Sequence, residues 1–276
     1  MLSYRHAFHA GSPADVLKHL ILVQLLEYLT RKEKACWYID THAGAGVYAL
    51  ASGFAARKGE YRGGIGRLWE RSDLPEVIEH YRQLVSELNP DGKLIRYPGS
   101  PWFAQRLLRV QDQLWLHEMH PADCAVLEKS LGKDGAVIAQ TDGLQSLRGH
   151  LPPQPRRALV LIDPSYEVKA DYLTVITTLE DALQRFPTGT YAIWYPLLET
   201  AAAGRLPQRL RRLNMNTWLH AELWTRQPGP GMWGSGMFII NPPYTLPPVL
   251  ETALPCLAAM LGEDGHGGFE LDWHLD

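Results

Sequence analysis

Six short apolar segments of strand length recur along the chain, and four of them run straight into a carboxylate. They read CWYID (Cys36–Asp40), LWLHE (Leu114–Glu118), AVIAQTD (Ala136–Asp142), ALVLID (Ala158–Asp163), TYAIWYP (Thr190–Pro196) and MFIIN (Met237–Asn241). Helical spacing of apolar residues marks Val16–Leu29 ahead of the first, with Pro13 and Asp15 at its start. Further helices are expected at Pro101–Arg109, Pro121–Ser130, Tyr172–Arg185 and Glu199–Leu213. Strands separated by helix-length connections cannot pair as hairpins. They predict an α/β fold, a mostly parallel sheet covered by helices on both faces. Ligands of such sheets bind beyond the carboxyl ends of the strands, where Asp40, Glu118, Asp142 and Asp163 fall.

A chain of 276 residues is one large α/β domain with an insertion, or about two average domains. Residues 50–98 differ from the rest. Gly59, Gly63, Gly64 and Gly66 break the first half, and a charged helical stretch, Leu74–Leu88, fills the second. That region is the expected insertion, a small helical subdomain within a domain spanning residues 1–276. No apolar run reaches the roughly 18 residues of a membrane span, and the first residues lack the apolar stretch of a secretory leader. Cys36, Cys124 and Cys256 are odd in number and widely spaced. They read as reduced thiols rather than disulfides or zinc ligands, which suits the cytoplasm.

The net charge of −3 argues at first against a polyanionic partner. It is unevenly distributed. Six acids and no Lys or Arg lie beyond residue 244, so residues 1–244 hold 24 acids against 27 bases. Arg205, Arg209, Arg211 and Arg212 cluster without an acid, and Arg57, Lys58, Arg62, Arg67 and Arg71 form a second basic stretch beside Glu60 and Glu70. Either patch suits a phosphate backbone or a solvated helix face.

Asp40-Thr41-His42-Ala43-Gly44-Ala45-Gly46 is a strand followed by a glycine turn, which lets backbone approach a ligand closely. It departs from the dinucleotide fingerprint, because Ala49 stands where the third glycine belongs. Glu118 is placed for ribose hydroxyls and Asp142-Gly143 for an adenine amine. The series favours an adenosine-containing cofactor other than a nicotinamide, with S-adenosylmethionine first. His42 sits inside the turn, as a cofactor contact or as a structural hydrogen bonder.

Two tetrapeptides share one chemistry: DPSY (Asp163–Tyr166) and NPPY (Asn241–Tyr244). An acid or amide followed by proline and an aromatic ring offers a side-chain oxygen and a backbone carbonyl to an exocyclic amine, with the ring to stack on the base. Neither a metal nor a covalent intermediate is required. NPPY follows the last of these strands, far from the cofactor segments. DPSY ends the strand after Asp142. Position selects Asp163 as the catalytic acid, with Pro164 and Tyr166 against the substrate. The polar, aromatic segment Tyr4–Gly11 reads as a lid or a frayed terminus, Tyr4 near the substrate base. Lys18 and His19 share one helix end and face a cofactor carboxylate.

Together these motifs resemble the bacterial 23S ribosomal RNA adenine-N6-methyltransferases that modify adenosine 2030. The likeness runs through MLSYRHAFHAG, ADVLKH, DTHAGAG, YPGSP (Tyr97–Pro101), HEMHP (His117–Pro121), TDG, LIDPSY, TGTYAIWYP and SGMFIINPPY. It implies a class I, Rossmann-like methyltransferase fold with a seven-stranded sheet and an inserted helical subdomain. It also implies a monomer acting on 23S rRNA, naked or in early assembly, and adenosine presented by exposure or base flipping. Carried over by motif, the S-adenosylmethionine contacts are His19, His42, Ser100, Glu118, Asp142, Gly143 and Asp163. Asp163 is the catalytic acid and Tyr4 lies near the substrate. The family reads DPPY where this chain has DPSY. Two other readings use the same features: a DNA adenine-N6-methyltransferase and a nonenzymatic RNA-binding module. A cytosine-C5 enzyme needs a strand-end cysteine nucleophile, and none of the three cysteines is so placed.

Overall fold

The computed structural model describes residues 6–50, 59–132 and 135–275. Tyr4, Arg57 and Lys58 lie outside these residues. A short 3-10 turn, His6–Phe8, leads into helix α1, Pro13–Thr30. The Ser12 side chain caps that helix by accepting from the Asp15 N–H, and Pro13 occupies its first turn, where no amide partner is needed. Val16 to Val23 are all buried, so α1 is covered on every side and threads the core rather than lying on it.

Strands β1 (Trp37–Asp40), β4 (Gln113–His117), β5 (Ala136–Ala139), β6 (Ala158–Ile162) and β7 (Thr190–Leu197) are mutually parallel, in the order β5-β4-β1-β6-β7. All five residues of β6 are buried, as expected for a strand covered on both faces. The order reverses at β1. Asp40 there pairs with Leu116 on one side and Leu161 on the other, which opens a crevice beyond the carboxyl ends.

Past β7 the sheet turns antiparallel. Strand β9 (Gly234–Ile240) inserts between β7 and β8 (Trp218–Trp224), and β10 (Gly268–His274) adds an edge beside β8. Among the described residues the main sheet therefore has eight strands rather than seven. The extra one is β10, whose Phe269, Leu271 and Trp273 alternate with Glu270, Asp272 and His274. A period of two is what a half-covered edge strand needs.

Between β1 and β4 the chain makes an excursion. Strand β2 (Val47–Ala49) pairs antiparallel with β3 (Arg96–Pro98), and helices α2 (Ile65–Trp69) and α3 (Glu76–Ser86) lie between them. Ile78, Tyr81, Leu84 and Val85 of α3 bury into the same core as α1. The other helices are α4 (Ser100–Leu107), α5 (Pro121–Leu131), α6 (Gly143–His150), α7 (Asp171–Arg185), α8 (Ala201–Leu210) and α9 (Leu246–Leu261). Among the described residues no helix is long and apolar enough to cross a membrane. All three cysteines are free, Cys36 and Cys124 in the interior.

Candidate active site

A cavity of about 390 Å³ opens at the carboxyl ends of β1, β4, β5 and β6. Asp40 lies beneath it, fully buried. Its carboxylate accepts from the Tyr38 hydroxyl (2.8 Å), the Ser100 hydroxyl (2.7 Å) and the His42 N–H (3.1 Å). Burial pushes this carboxyl up to about 6, against the pull of those three donors. Ser100 opens α4, so its bond ties the start of that helix to the end of β1.

The glycine turn that follows is fixed by its torsions. Gly44 (φ +62°) and Gly46 (φ +77°) lie in the left-handed region. A Cβ on Gly44 would sit 2.2 Å from the Tyr48 hydroxyl, which itself accepts from the Ala45 N–H. The Gly44 N–H donates to Glu118 Oε2 at 2.8 Å, and the His120 N–H to Oε1 at 2.7 Å. Each oxygen of Glu118 keeps a lone pair for a ligand. Burial raises the Glu118 carboxyl, partly offset by these two amides. Asp142 caps α6, its Oδ1 accepting from Leu144 N (3.0 Å) and Gln145 N (3.2 Å). Gly143 packs so closely on the turn that a Cβ would meet the Thr41 carbonyl oxygen at 2.2 Å.

On the other wall, Lys18 of α1 is 3% exposed and bridges two carboxylates, Asp15 Oδ1 at 2.9 Å and Asp163 Oδ2 at 2.6 Å. Burial alone would depress the ammonium, but Asp15 and Asp163 outweigh it and hold Lys18 charged. The neighbouring His19 packs on the rings of Tyr97 and Phe103, and its Nδ1 lies 2.8 Å from the Tyr97 hydroxyl. His42 pairs its Nδ1 with the Thr41 hydroxyl at 2.8 Å, and burial pushes its imidazole down to about 4, so it is neutral at physiological pH.

The structure brings His19, His42, Ser100, Glu118, Asp142, Gly143 and Asp163 together around this one cavity, along with Lys18, Gly44 and Pro164. Asp40 and Gly46 support it without lining it. Tyr166 is placed differently from the sequence-based expectation. At a positive φ of 54° it turns back into the protein, 5% exposed and packed on Tyr172. Its hydroxyl donates to the Trp194 carbonyl at 2.9 Å. Its ring thus holds the turn in place, and the cavity wall is made by Pro164 and Ser165 instead. Sequence reasoning also passed over Met119 and Val168. They line the cavity while 48% and 52% exposed, an apolar pair at the mouth that suits a flat ring. The position of Met119 directly after Glu118 was the available signal.

Residues 33–275 match the family model described as "Ribosomal RNA large subunit methyltransferase D, RlmJ". The chain belongs to this family. It is similar over 99% of both chains to proteins named ribosomal RNA large subunit methyltransferase J, at 45% identity to that of Haemophilus influenzae and 44% to that of Escherichia coli. A crystal structure of a Legionella pneumophila protein superposes with a TM-score of 0.90 at 36% identity, covering 96% of this chain and 98% of the other. The fold is accordingly the Rossmann-like one of class I methyltransferases.

Within that RlmJ-family fold the second tetrapeptide sits at the opposite pole. Because β9 runs antiparallel to β7, its end lies beside the start of β7, with Ile240 opposite Tyr191. Asn241 there donates through Nδ2 to the carbonyls of Pro187 (2.8 Å) and Gly189 (2.7 Å), and Tyr244 is 72% exposed. In the α8 patch, Arg205, Arg209, Arg211 and Arg212 are all exposed, but Arg211 stacks on Trp218 and pairs with Asp272 of β10 at 2.8 Å. The acidic tail thus neutralises part of the basic body.

Proposed function

We propose that this protein transfers the methyl group of S-adenosylmethionine to the exocyclic N6 amine of an adenosine in 23S ribosomal RNA, with Asp163 as its catalytic residue. The observation that carries the reading is a strand-end carboxylate, Asp163, on the wall of a cavity whose other walls carry Glu118, Asp142, His19 and the glycine turn. That donor set fits the cofactor. Glu118 retains acceptor capacity for two vicinal hydroxyls, Met119 and Val168 flank a flat base, and His19 and Lys18 supply donors for a carboxylate. His42, Ser100, Asp142 and Gly143 complete the cofactor wall, with Asp40, Gly44 and Gly46 shaping it. When bound, the cofactor supplies a methyl sulfonium as electrophile.

The chain's own part is orientation. An adenine amine is a weak nucleophile, because its lone pair is shared with the ring. A carboxylate oxygen of Asp163 and the Pro164 carbonyl accept its two N–H bonds and favour a localised lone pair directed at the methyl group. Lys18 donates to Asp163 Oδ2 at 2.6 Å and holds the carboxyl group in place. Asp163 therefore acts as a fixed acceptor for the amine. Tyr166 braces the turn from behind, and Pro164 and Ser165 line the wall. Tyr4, outside the described residues, is assigned to the substrate by its motif alone. We further propose that residues 50–98 form an inserted helical subdomain. The protein works as a monomer in the cytoplasm, on naked or early-assembly 23S rRNA.

The test is Asp163→Ala. Labelled methyl transfer to unmodified 23S rRNA falls by at least a hundredfold, while S-adenosylhomocysteine binding measured by calorimetry remains detectable. Retained turnover rules out the assignment.

A further inference from the structure

The two basic stretches of the sequence meet different fates in the fold. In the excursion between β1 and β4, Arg67 donates to the carbonyls of Met260 (3.3 Å) and Gly262 (2.7 Å). Arg71 pairs with Asp73, and Arg62 lies over the Tyr61 ring. Those guanidinium groups are spent on contacts within the chain. On α8, Arg211 is spent in the same way, on Trp218 and Asp272. Its neighbours Arg205, Arg209 and Arg212 are exposed and make no hydrogen bond, ion pair or ring contact among the described residues.

These three arginines share one face. Ala203, Leu206 and Leu210 are the buried residues of α8, and the arginines recur on the open side at i, i+4 and i+7. The Arg212 N–H bonds to the Arg209 carbonyl at 3.1 Å, so the winding continues past the helix end. Arg205 to Arg212 therefore spans about 10 Å along the axis. No Asp or Glu occurs from residue 200 to residue 221 to offset them. Like charges at helical spacing repel, so this row costs stability unless an anion from outside meets it. The helix dipole favours cations in the last turn alone, which accounts for Arg209 and Arg212 but not for Arg205.

The row also lies beside the site. Strand β7 runs parallel to β6, so α8 sets out from the end of the sheet where Asp163 lies. It packs on α7, whose Asp171 and Thr174 line the cavity. Lys169, exposed and likewise without a partner among the described residues, stands between Val168 and Asp171 at the cavity mouth. We infer that Arg205, Arg209 and Arg212, with Lys169 at the mouth, bind the phosphate backbone of the RNA strand beside the target adenosine. Contacts of this kind set register and orientation without reading sequence. This rests on the rRNA substrate reading given above, and it assigns the backbone contact to α8 rather than to Arg62, Arg67 and Arg71.

The test uses the full-length protein and an unmodified 23S rRNA transcript, with filter binding over a salt series and methyl-transfer kinetics. Replacing Arg205, Arg209 and Arg212 together by glutamine is expected to raise the dissociation constant for the transcript about tenfold at about 50 mM salt, and to lower the salt slope by about 2. KM for the transcript should rise in step, with kcat and S-adenosylhomocysteine affinity within twofold. Lysine at the same three positions should keep most of the affinity, because a phosphate backbone asks chiefly for charge. Arg62→Gln with Arg71→Gln should stay within twofold of wild type. Unchanged affinity and salt slope in the α8 variant, or an equal loss in the Arg62 and Arg71 variant, would overturn the inference. If the triple glutamine variant fails to fold, Arg205→Glu alone is expected to weaken binding several-fold, and unchanged binding there overturns it equally. A wild type that does not bind the transcript would strike the rRNA reading and this inference with it. Binding without methyl transfer would strike the catalytic assignment and leave the arginine row standing.

Discussion

Replacing Lys18 by methionine probes a buried contact of one ammonium with two carboxylates. The ammonium is 3% exposed and sits between Asp15 Oδ1 (2.9 Å) and Asp163 Oδ2 (2.6 Å), whose side chains are 2% and 12% exposed. Methionine fills nearly the same volume, so packing is preserved and the change is electrostatic. Removing one partner of a buried ion pair costs about 3–5 kcal/mol, because the other charge is stranded. Here the one ammonium serves two carboxylates, Asp15 and Asp163. We expect Lys18→Met to lose at least that range, which lowers the midpoint of thermal unfolding by about 6–20 °C for a chain of this size. The sign of the pH dependence follows from Lys18, whose folded value, lowered by burial, is raised overall by Asp15 and Asp163. Its contribution is fully present below the unfolded lysine value, so the penalty does not grow between pH 8 and pH 5. Urea unfolding at pH 8 and pH 5 measures it, with the slope of the transition unchanged. Adding Asp15→Asn should recover about 1–2 kcal/mol, since one buried charge is removed while an oxygen remains for the Gly11 N–H. A loss below about 1 kcal/mol at pH 8, or a loss that grows on acidification, would refute the electrostatic account of this site.

Two further outcomes follow from the rest of the molecule. His117 is 4% exposed, and burial followed by the neighbouring His150 pushes its imidazole down to about 4. A histidine with a folded value below its unfolded value contributes stability that is present above pH 6.5 and lost as pH falls toward 4, here about 3 kcal/mol. His117→Gln should flatten the acid-side fall in urea midpoint by most of that amount, and an unchanged slope would contradict it. Asn241→Ala should lower stability by about 1–3 kcal/mol through loss of its bonds to Pro187 and Gly189. The folded variant should keep kcat within a factor of two, and loss of transfer with cofactor binding intact would return the catalytic role to NPPY.

Much of this arrangement was legible in the chain itself, because its signals are local. The expected strands ending at Asp40 and at Asp163 agree with β1 and β6 to within a residue or two. Glu118 follows directly on β4, whereas Asp142 stands three residues beyond β5, as the cap of α6. What escaped was non-local or masked by charge. Strands β8 and β10 interleave His220, Glu222, Glu270 and Asp272 with their apolar residues, and so read as polar segments. Their polar side chains face each other across the strand pair, where Glu222 is registered with Glu270 and His220 with Asp272. Two acids of the tail, Glu270 and Asp272, thus lie on one face of an edge strand, with Arg211 bridged to Asp272. The Lys18–Asp163 pair joins positions 145 apart, and the Asp40–Ser100 bond positions 60 apart. No periodicity encodes such contacts; they exist only once the sheet order brings α1, β1 and β6 together. Tyr166 shows the opposite failure. Its motif was visible, but the positive φ that turns its ring inward was not.

The central claim is tested most directly by incubating the purified protein with labelled S-adenosylmethionine and unmodified 23S rRNA, then mapping the product by nuclease digestion and mass spectrometry. The structure and its chemistry predict one N6-methyladenosine at a single position, absent when Asp163→Ala replaces the wild type. A methyl group on a cytosine carbon or a ribose oxygen would contradict the account. So would transfer to adenine in DNA in preference to RNA.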